Sequence, residues 1–323
     1  MGAILVLCFG VPQGSVLGPV LFILYKKSLS NLVERHSISS QSFADDTQLL
    51  DSCHPDHLDT TVQRMQNCIS EVKLLIYCNK LKLNDDKTES VLIKSDRIYA
   101  PWFCTHFYSS WSLWHPFVIH TRNLGITISS NTTMDKHVTN ICRSAYAEFR
   151  CISSIRHLLT VNATKTLLSA FVLSKLDYCN SLHCGSPQFI LDKLQRVKNS
   201  AARLVMKSRL CDHVQTLSRN PHLLPVRSKI VYKISTLCFN TFANSSPVYI
   251  AQLLFVYTPY RHLRSSSDTR TLRIPFVKTK SFGQRAFFTG PTQWKLQFYE
   301  LRHSESSPAF KTVLKTHLFR SAY

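Results

Sequence analysis

Acidic residues are scarce in this chain. Nineteen Asp and Glu stand against 39 Lys and Arg over 323 residues, leaving a formal net charge of +20. Several familiar signatures are missing as well. There is no Gly-rich phosphate loop, no Gly-x-Ser-x-Gly elbow and no His-Glu-x-x-His, so the P-loop, serine-hydrolase and zinc-protease readings have no support. Internal repeats and low-complexity tracts are absent, which excludes a solenoid or a disordered tail. The apolar run from Val16 to Tyr25 is too short for a bilayer and is broken by Gly18 and Pro19. The opening stretch from Met1 to Phe9 has no basic lead region and no small-residue cleavage site, so it does not read as a secretory signal. Eleven cysteines follow no repeating frame, unlike a secreted disulfide scaffold. The expectation is an intracellular protein, nuclear or cytoplasmic, with reduced thiols and no membrane span.

What is present is a chain rich enough in apolar residues, at 44%, to bury a core. Its charge surplus points to a polyanionic partner, because each neutralised phosphate releases counterions and adds affinity independent of sequence. Pro19 suits the first turn of a helix that ends near His36. A strand is then expected into Asp45-Asp46, with a return strand through Leu50. Val62, Met65, Ile69, Val72 and Ile76 step by three or four and predict an amphipathic helix packed on a sheet. Ser90 to Ile93 reads as a buried strand. Residues 98–117 are aromatic-rich without a period. From about Met134 onward the pattern is mostly helical. Thr160 or Asn162 is a candidate cap before the apolar face of Leu167, Leu168, Phe171 and Val172. Leu191, Leu194, Val197, Ala201 and Leu204 form a later stripe, with Lys193, Arg196, Lys198, Arg203 and Lys207 on the same helix. Such a helix can bury one side and track phosphates with another.

Two motifs carry chemistry. Ser42-Phe43-Ala44-Asp45-Asp46-Thr47 places adjacent carboxylates where a tight hairpin would present them. Paired acids of this kind hold Mg²⁺, a hard cation that binds through one or two carboxylates plus substrate phosphates. Upstream lies Gly10-Val11-Pro12-Gln13-Gly14-Ser15-Val16-Leu17-Gly18-Pro19. In order, spacing and content the two motifs resemble the reverse transcriptase family, specifically its non-LTR, LINE-like retrotransposon branch. Asn79 to Glu89 resembles the next motif of that branch, Asn123-Leu124-Gly125 its primer-gripping hairpin, and Phe282-Gly283-Gln284-Arg285 with Gly290 to Trp294 its C-terminal region.

The resemblance implies an α+β chain: a partial polymerase palm of antiparallel strands with packed helices over residues 1–130, then a mostly helical thumb and C-terminal region over 131–323. It implies RNA-directed DNA polymerisation with an RNA template, a DNA primer and deoxynucleotides, using two Mg²⁺ ions. Asp45 and Asp46 would be metal ligands and Lys87 would sit near the leaving pyrophosphate. Gln13, Gly14, Ser15, Phe43 and Ala44 would border nucleotide and template. The family's third carboxylate and basic fingers precede the Gln13-Gly14 motif, so the chain is expected to be truncated and inactive alone. Cys53 with His54 and His57, and Cys179 with His183 and Cys184, whether or not Cys211 and His213 join them, lack the paired spacing of structural zinc, so Mg²⁺ is the expected metal.

Overall fold

The computed structural model describes residues 14–94, 117–209, 223–243, 245–259, 270–279 and 283–323, together with 212, 217 and 219. Contacts divide it into two compact units, Met1–Thr88 and Glu89–Tyr323. The division falls earlier than the boundary at 130 suggested by the sequence. The reason is local: the hairpin after residue 119 packs on the first helix of the second unit.

In the first unit, helix α1 (Gly18–Arg35) carries Pro19 in its opening turn, where a missing N–H costs nothing. It leads into strands β1 (Ser39–Phe43) and β2 (Asp46–Leu50), which pair antiparallel from Ser39 with Leu50 to Phe43 with Asp46. Helix α2 (Leu58–Cys78) follows. Its Cys68 and Val72 pack with Leu29, Leu32, Val33 and Ile38, and Leu49 and Met65 border the cluster. The expected strand–helix layering is therefore slight: α2 packs chiefly on α1, beside a two-stranded ribbon. The buried residues of α1, Leu29, Leu32 and Val33, all lie in its C-terminal half, while Leu24 and, just ahead of the helix, Leu17 are exposed.

The second unit begins with a correction. Ser90 to Ile93 is not a buried strand: Ser90 makes one parallel bridge to Phe117, and Ile93 is exposed. Most of the aromatic stretch at 98–117 lies outside the described residues. Strands β3 (His120–Asn123) and β4 (Ile126–Ser129) form a hairpin. Its loop residues Leu124 and Gly125 both take positive φ, +45° and +81°, as a tight primed turn requires. Helices then dominate: α3 (Asp135–Ser154), α4 (Val161–Leu168), α5 (Ser174–Asp177), α6 (Gln188–Met206) and α7 (Val226–Phe242), followed by the short α8 (Val248–Ala251), α9 (Pro291–Lys295) and α10 (Tyr299–Arg302), and finally α11 (Ser307–Ala322).

Thr160 caps α4, its hydroxyl accepting from the Ala163 N–H at 3.2 Å. Between α4 and α5 the backbone widens into a π-turn over Ser169–Leu173. That extra residue rotates the face, so Leu168, Val172, Leu173 and Leu176 are buried while Phe171 is exposed. Helix α6 packs against α3, α4 and α7. An aromatic stack closes the far end. Phe239 and Phe310 lie 4.3 Å apart, Trp294 rests 5.8 Å from Phe310, and the indole N–H donates to the Arg270 carbonyl at 2.7 Å. Gly290 is closely packed: a Cβ there would stand 3.0 Å from the Phe287 carbonyl and 3.2 Å from Ile234, so these neighbours would have to give way slightly. The resembling segment from Gly290 to Trp294 thus serves as core packing. Among the described residues no helix is long and apolar enough to cross a membrane.

Candidate nucleotidyl-transfer hairpin

The loop joining β1 to β2 consists of Ala44 and Asp45, because Phe43 and Asp46 already pair across the ribbon. A two-residue connection is the shortest that keeps the twist of paired strands. Of the two loop residues, only Ala44 takes a positive φ, +50°. Non-glycine residues seldom adopt that conformation, and where they do the surroundings must enforce it. Here the enforcing group is Lys26. Its ammonium reaches from α1 and donates to the carbonyl of Ala44 and, at 3.2 Å, to the carbonyl of Asp46. The two acceptors flank Asp45, so one side chain ties both sides of the turn to the helix.

The carboxylates of Asp45 and Asp46 are exposed, as are Phe43, at 67%, and Ala44. Burial lowers the Lys26 pKa, while Asp45 and then Asp46 pull it the other way. The tip therefore carries two acids and one resident cation. Lys26 was not singled out from the sequence. A signal existed, since Lys26 precedes Leu29 by three residues and Val33 by seven, on the face that α1 buries.

The remaining candidates fall in different places. Gln13 lies outside the described residues. Gly14 has φ +87° with open space where a Cβ would stand, so its backbone conformation is what favours glycine there. The Ser15 hydroxyl accepts from the Gly18 N–H at 3.2 Å and so helps start α1. Lys87 sits exposed in a short 3-10 turn, Asp85–Lys87, and no hydrogen bond or ion pair joins it to Asp45 or Asp46. Its neighbour Asp85 pairs with Lys73 at 2.8 Å.

The five basic residues chosen on α6 do not form one surface. Lys198 is only 1% exposed and its ammonium nitrogen has no hydrogen-bond partner. Burial, then Lys229, pushes its pKa down to about 7, with Asp177 opposing. Lys193 is held by Asp135 at 2.6 Å, and Arg203 is half-buried with its Nε enclosed. Arg196 and Lys207 remain exposed, Lys207 in the left-handed position that ends the helix. The physical reason for Lys198 is plain: it lies four residues after Leu194 and three before Ala201, within the stripe the core covers.

As for metals, no group of three or more His, Cys, Asp or Glu side chains converges among the described residues. The adjacent Asp45 and Asp46 are hard oxygen donors open to solvent, which suits Mg²⁺ but leaves much of its coordination to substrate and water. Cys211 and His213 lie outside the described residues. His183 and His137 stack 6.1 Å apart. Burial, then His137 and Arg285, pushes the His183 pKa down to about 4.

The comparison with curated proteins gives no match, and neither does the comparison with solved structures. Family comparison does give one. Residues 4–128, which contain α1, α2, the β1–β2 hairpin with its Asp45-Asp46 tip and all but the last residue of the β3–β4 hairpin, match the family described as Reverse transcriptase (RNA-dependent DNA polymerase).

Proposed function

We propose that this chain is an RNA-directed DNA polymerase component of non-LTR retrotransposon type, in which Asp45 and Asp46 supply carboxylates to a two-Mg²⁺ site. The observation that carries the reading is the β1–β2 tip, where Asp45 in a minimal loop and Asp46 at the start of β2 lie together on a turn tied to α1 by Lys26. The family match over residues 4–128 supports it. Bound Mg²⁺ would stabilise the attacking and leaving oxygens of an in-line displacement at the α-phosphate. Asp45 and Asp46 would hold it, Lys26 would fix the loop, and Gly14 with Ser15 would border the template and incoming nucleotide. The partners are an RNA template, a DNA primer and deoxynucleotides, met in the nucleus or cytoplasm.

Two carboxylates do not complete such a site. With no third ligand converging among the described residues, the described chain on its own is expected to turn over poorly. That observation favours a second reading, a basic nucleic-acid-binding protein without catalysis. Primer extension on an RNA template with Mg²⁺ separates the two, comparing the chain with Asp45→Ala and Asp46→Ala. Incorporation by the chain that disappears in Asp45→Ala supports polymerisation. Equal incorporation by all three removes it.

A further inference from the structure

The sequence points to α6 as the basic helix, but α6 uses much of its charge internally. Helix α3 does not. Lys136, Arg143 and Arg150 are all exposed, and none has an ion-pair or hydrogen-bond partner among the described residues. They are seven residues apart, which on an α-helix returns each to nearly the same face and spaces them by about 10.5 Å. Asn140 and Ser154 are exposed on the same face. The acids of this helix are Asp135 and Glu148, and both are already engaged, by Lys193 at 2.6 Å and by Lys175 at 2.9 Å. The stripe therefore carries three positive charges with no compensating acid.

The helix is also held rigidly from beneath. Val138, Ala145, Phe149 and Ile152 are buried. Just beyond its end Arg156 is buried and donates to the Leu159, Leu204 and Val205 carbonyls at 2.7–2.8 Å, fastening this end of α3 to the end of α6. A ridge of cations at fixed intervals on a rigid support matches a repeating polyanion better than a single charged ligand. Three phosphate-to-phosphate steps along one strand of B-form DNA advance about 10 Å along the helix axis, near the spacing of the stripe.

We propose that the solvent face of α3, bearing Lys136, Arg143 and Arg150, is a phosphate-tracking ridge that lies along a nucleic-acid strand. The inference deepens the functional reading and rests on the chain engaging nucleic acid. It assigns that contact to α3 and not α6. Because the contacts are to phosphate, they position the strand and do not read its sequence.

The test is equilibrium binding to an RNA–DNA primer–template duplex over a range of salt. The chain is compared with the triple variant Lys136→Gln/Arg143→Gln/Arg150→Gln and with Arg196→Gln/Lys207→Gln on α6, each checked for native circular dichroism and thermal unfolding. The triple variant should bind at least about tenfold more weakly at low salt, with a salt slope shallower by roughly 0.9 for each lost contact. The α6 pair should change both less. An unchanged slope in a folded triple variant overturns the ridge while leaving the functional reading intact. So does an equal or larger loss from the α6 pair. Absence of salt-dependent binding by the unaltered chain overturns both. Phosphatidylserine vesicles are the second probe: a triple variant that loses vesicle binding but keeps duplex binding makes α3 a membrane face and overturns the nucleic-acid assignment.

Discussion

Helices α3 and α6 pack against each other and have similar amphipathic sequences, yet they use their basic residues in opposite ways. Helix α6 packs against three other helices. Of its lysines, one is engulfed in the core and one is tied to Asp135 across the interface. Helix α3 keeps Lys136, Arg143 and Arg150 in solvent and lets partners neutralise its acids. Counting charges on a helix therefore says little about what it can bind. What matters is which charges face a neighbour.

The contrast can be broken most forcefully at Lys198. A lysine whose pKa is pushed down to about 7 when folded and stands near 10.4 when unfolded disfavours the folded state at neutral and lower pH. Lys198→Met keeps the length and removes that cost. It should stabilise the second unit by several kcal/mol at or below pH 7, on the order of 3–5 kcal/mol. The advantage should shrink as pH rises from 7 and vanish above about pH 10.5. Chemical denaturation at pH 6, 8 and 10.5 measures it, and no gain at pH 6 would mean Lys198 finds an anion or solvent.

The buried His137–His183 pair comes next. A folded pKa of about 4 for His183 against about 6.5 unfolded means the folded state takes up its proton later. Its contribution is fully present above pH 6.5, erodes below it, and is lost as pH falls through about 4. The second unit should lose about 3 kcal/mol from this group between pH 7 and pH 4. His183→Asn should flatten that part of the pH–stability curve, and an unaltered curve would show that the imidazole is hydrated.

Arg156 ties the two helices together at their ends, so Arg156→Leu should destabilise by about 2–3 kcal/mol, since it leaves buried carbonyls without donors. Thermal unfolding reads this directly. The smallest effect is expected from α3 itself. Each single substitution at Lys136, Arg143 or Arg150 should leave stability within about 0.5 kcal/mol. A larger change would mean that the stripe is structural.

Parts of this molecule were readable in advance. The β1–β2 hairpin was legible because adjacent acids stand between Phe43-Ala44 and the run Gln48-Leu49-Leu50, and the structure places Asp45 in the loop with Asp46 beside it. The start of α1 at its proline and the Thr160 cap were equally local. Lys198 could also have been read correctly, because its spacing from Leu194 and Ala201 sets it on the covered stripe. The grip of Lys26 on the turn was harder to see, since it joins groups 18 and 20 residues apart. The π-turn at Ser169–Leu173, which turns Phe171 outward, leaves no periodic trace that spacing could detect. Ser90 to Ile93 looked like a strand by composition, but a strand also needs neighbours, and among the described residues it makes a single bridge.

The sequence by itself determined the short-range features: where helices begin, where two strands turn back, and that adjacent acids stand at that turn. These depend on backbone preferences and side chains a few residues apart. Only the tertiary structure decided which cations remain available. Lys193 meets Asp135 across 58 residues and Arg156 reaches Val205 across 49. Electrostatic interactions and desolvation act through space, so the charge a residue offers to a partner depends on what the fold sets against it.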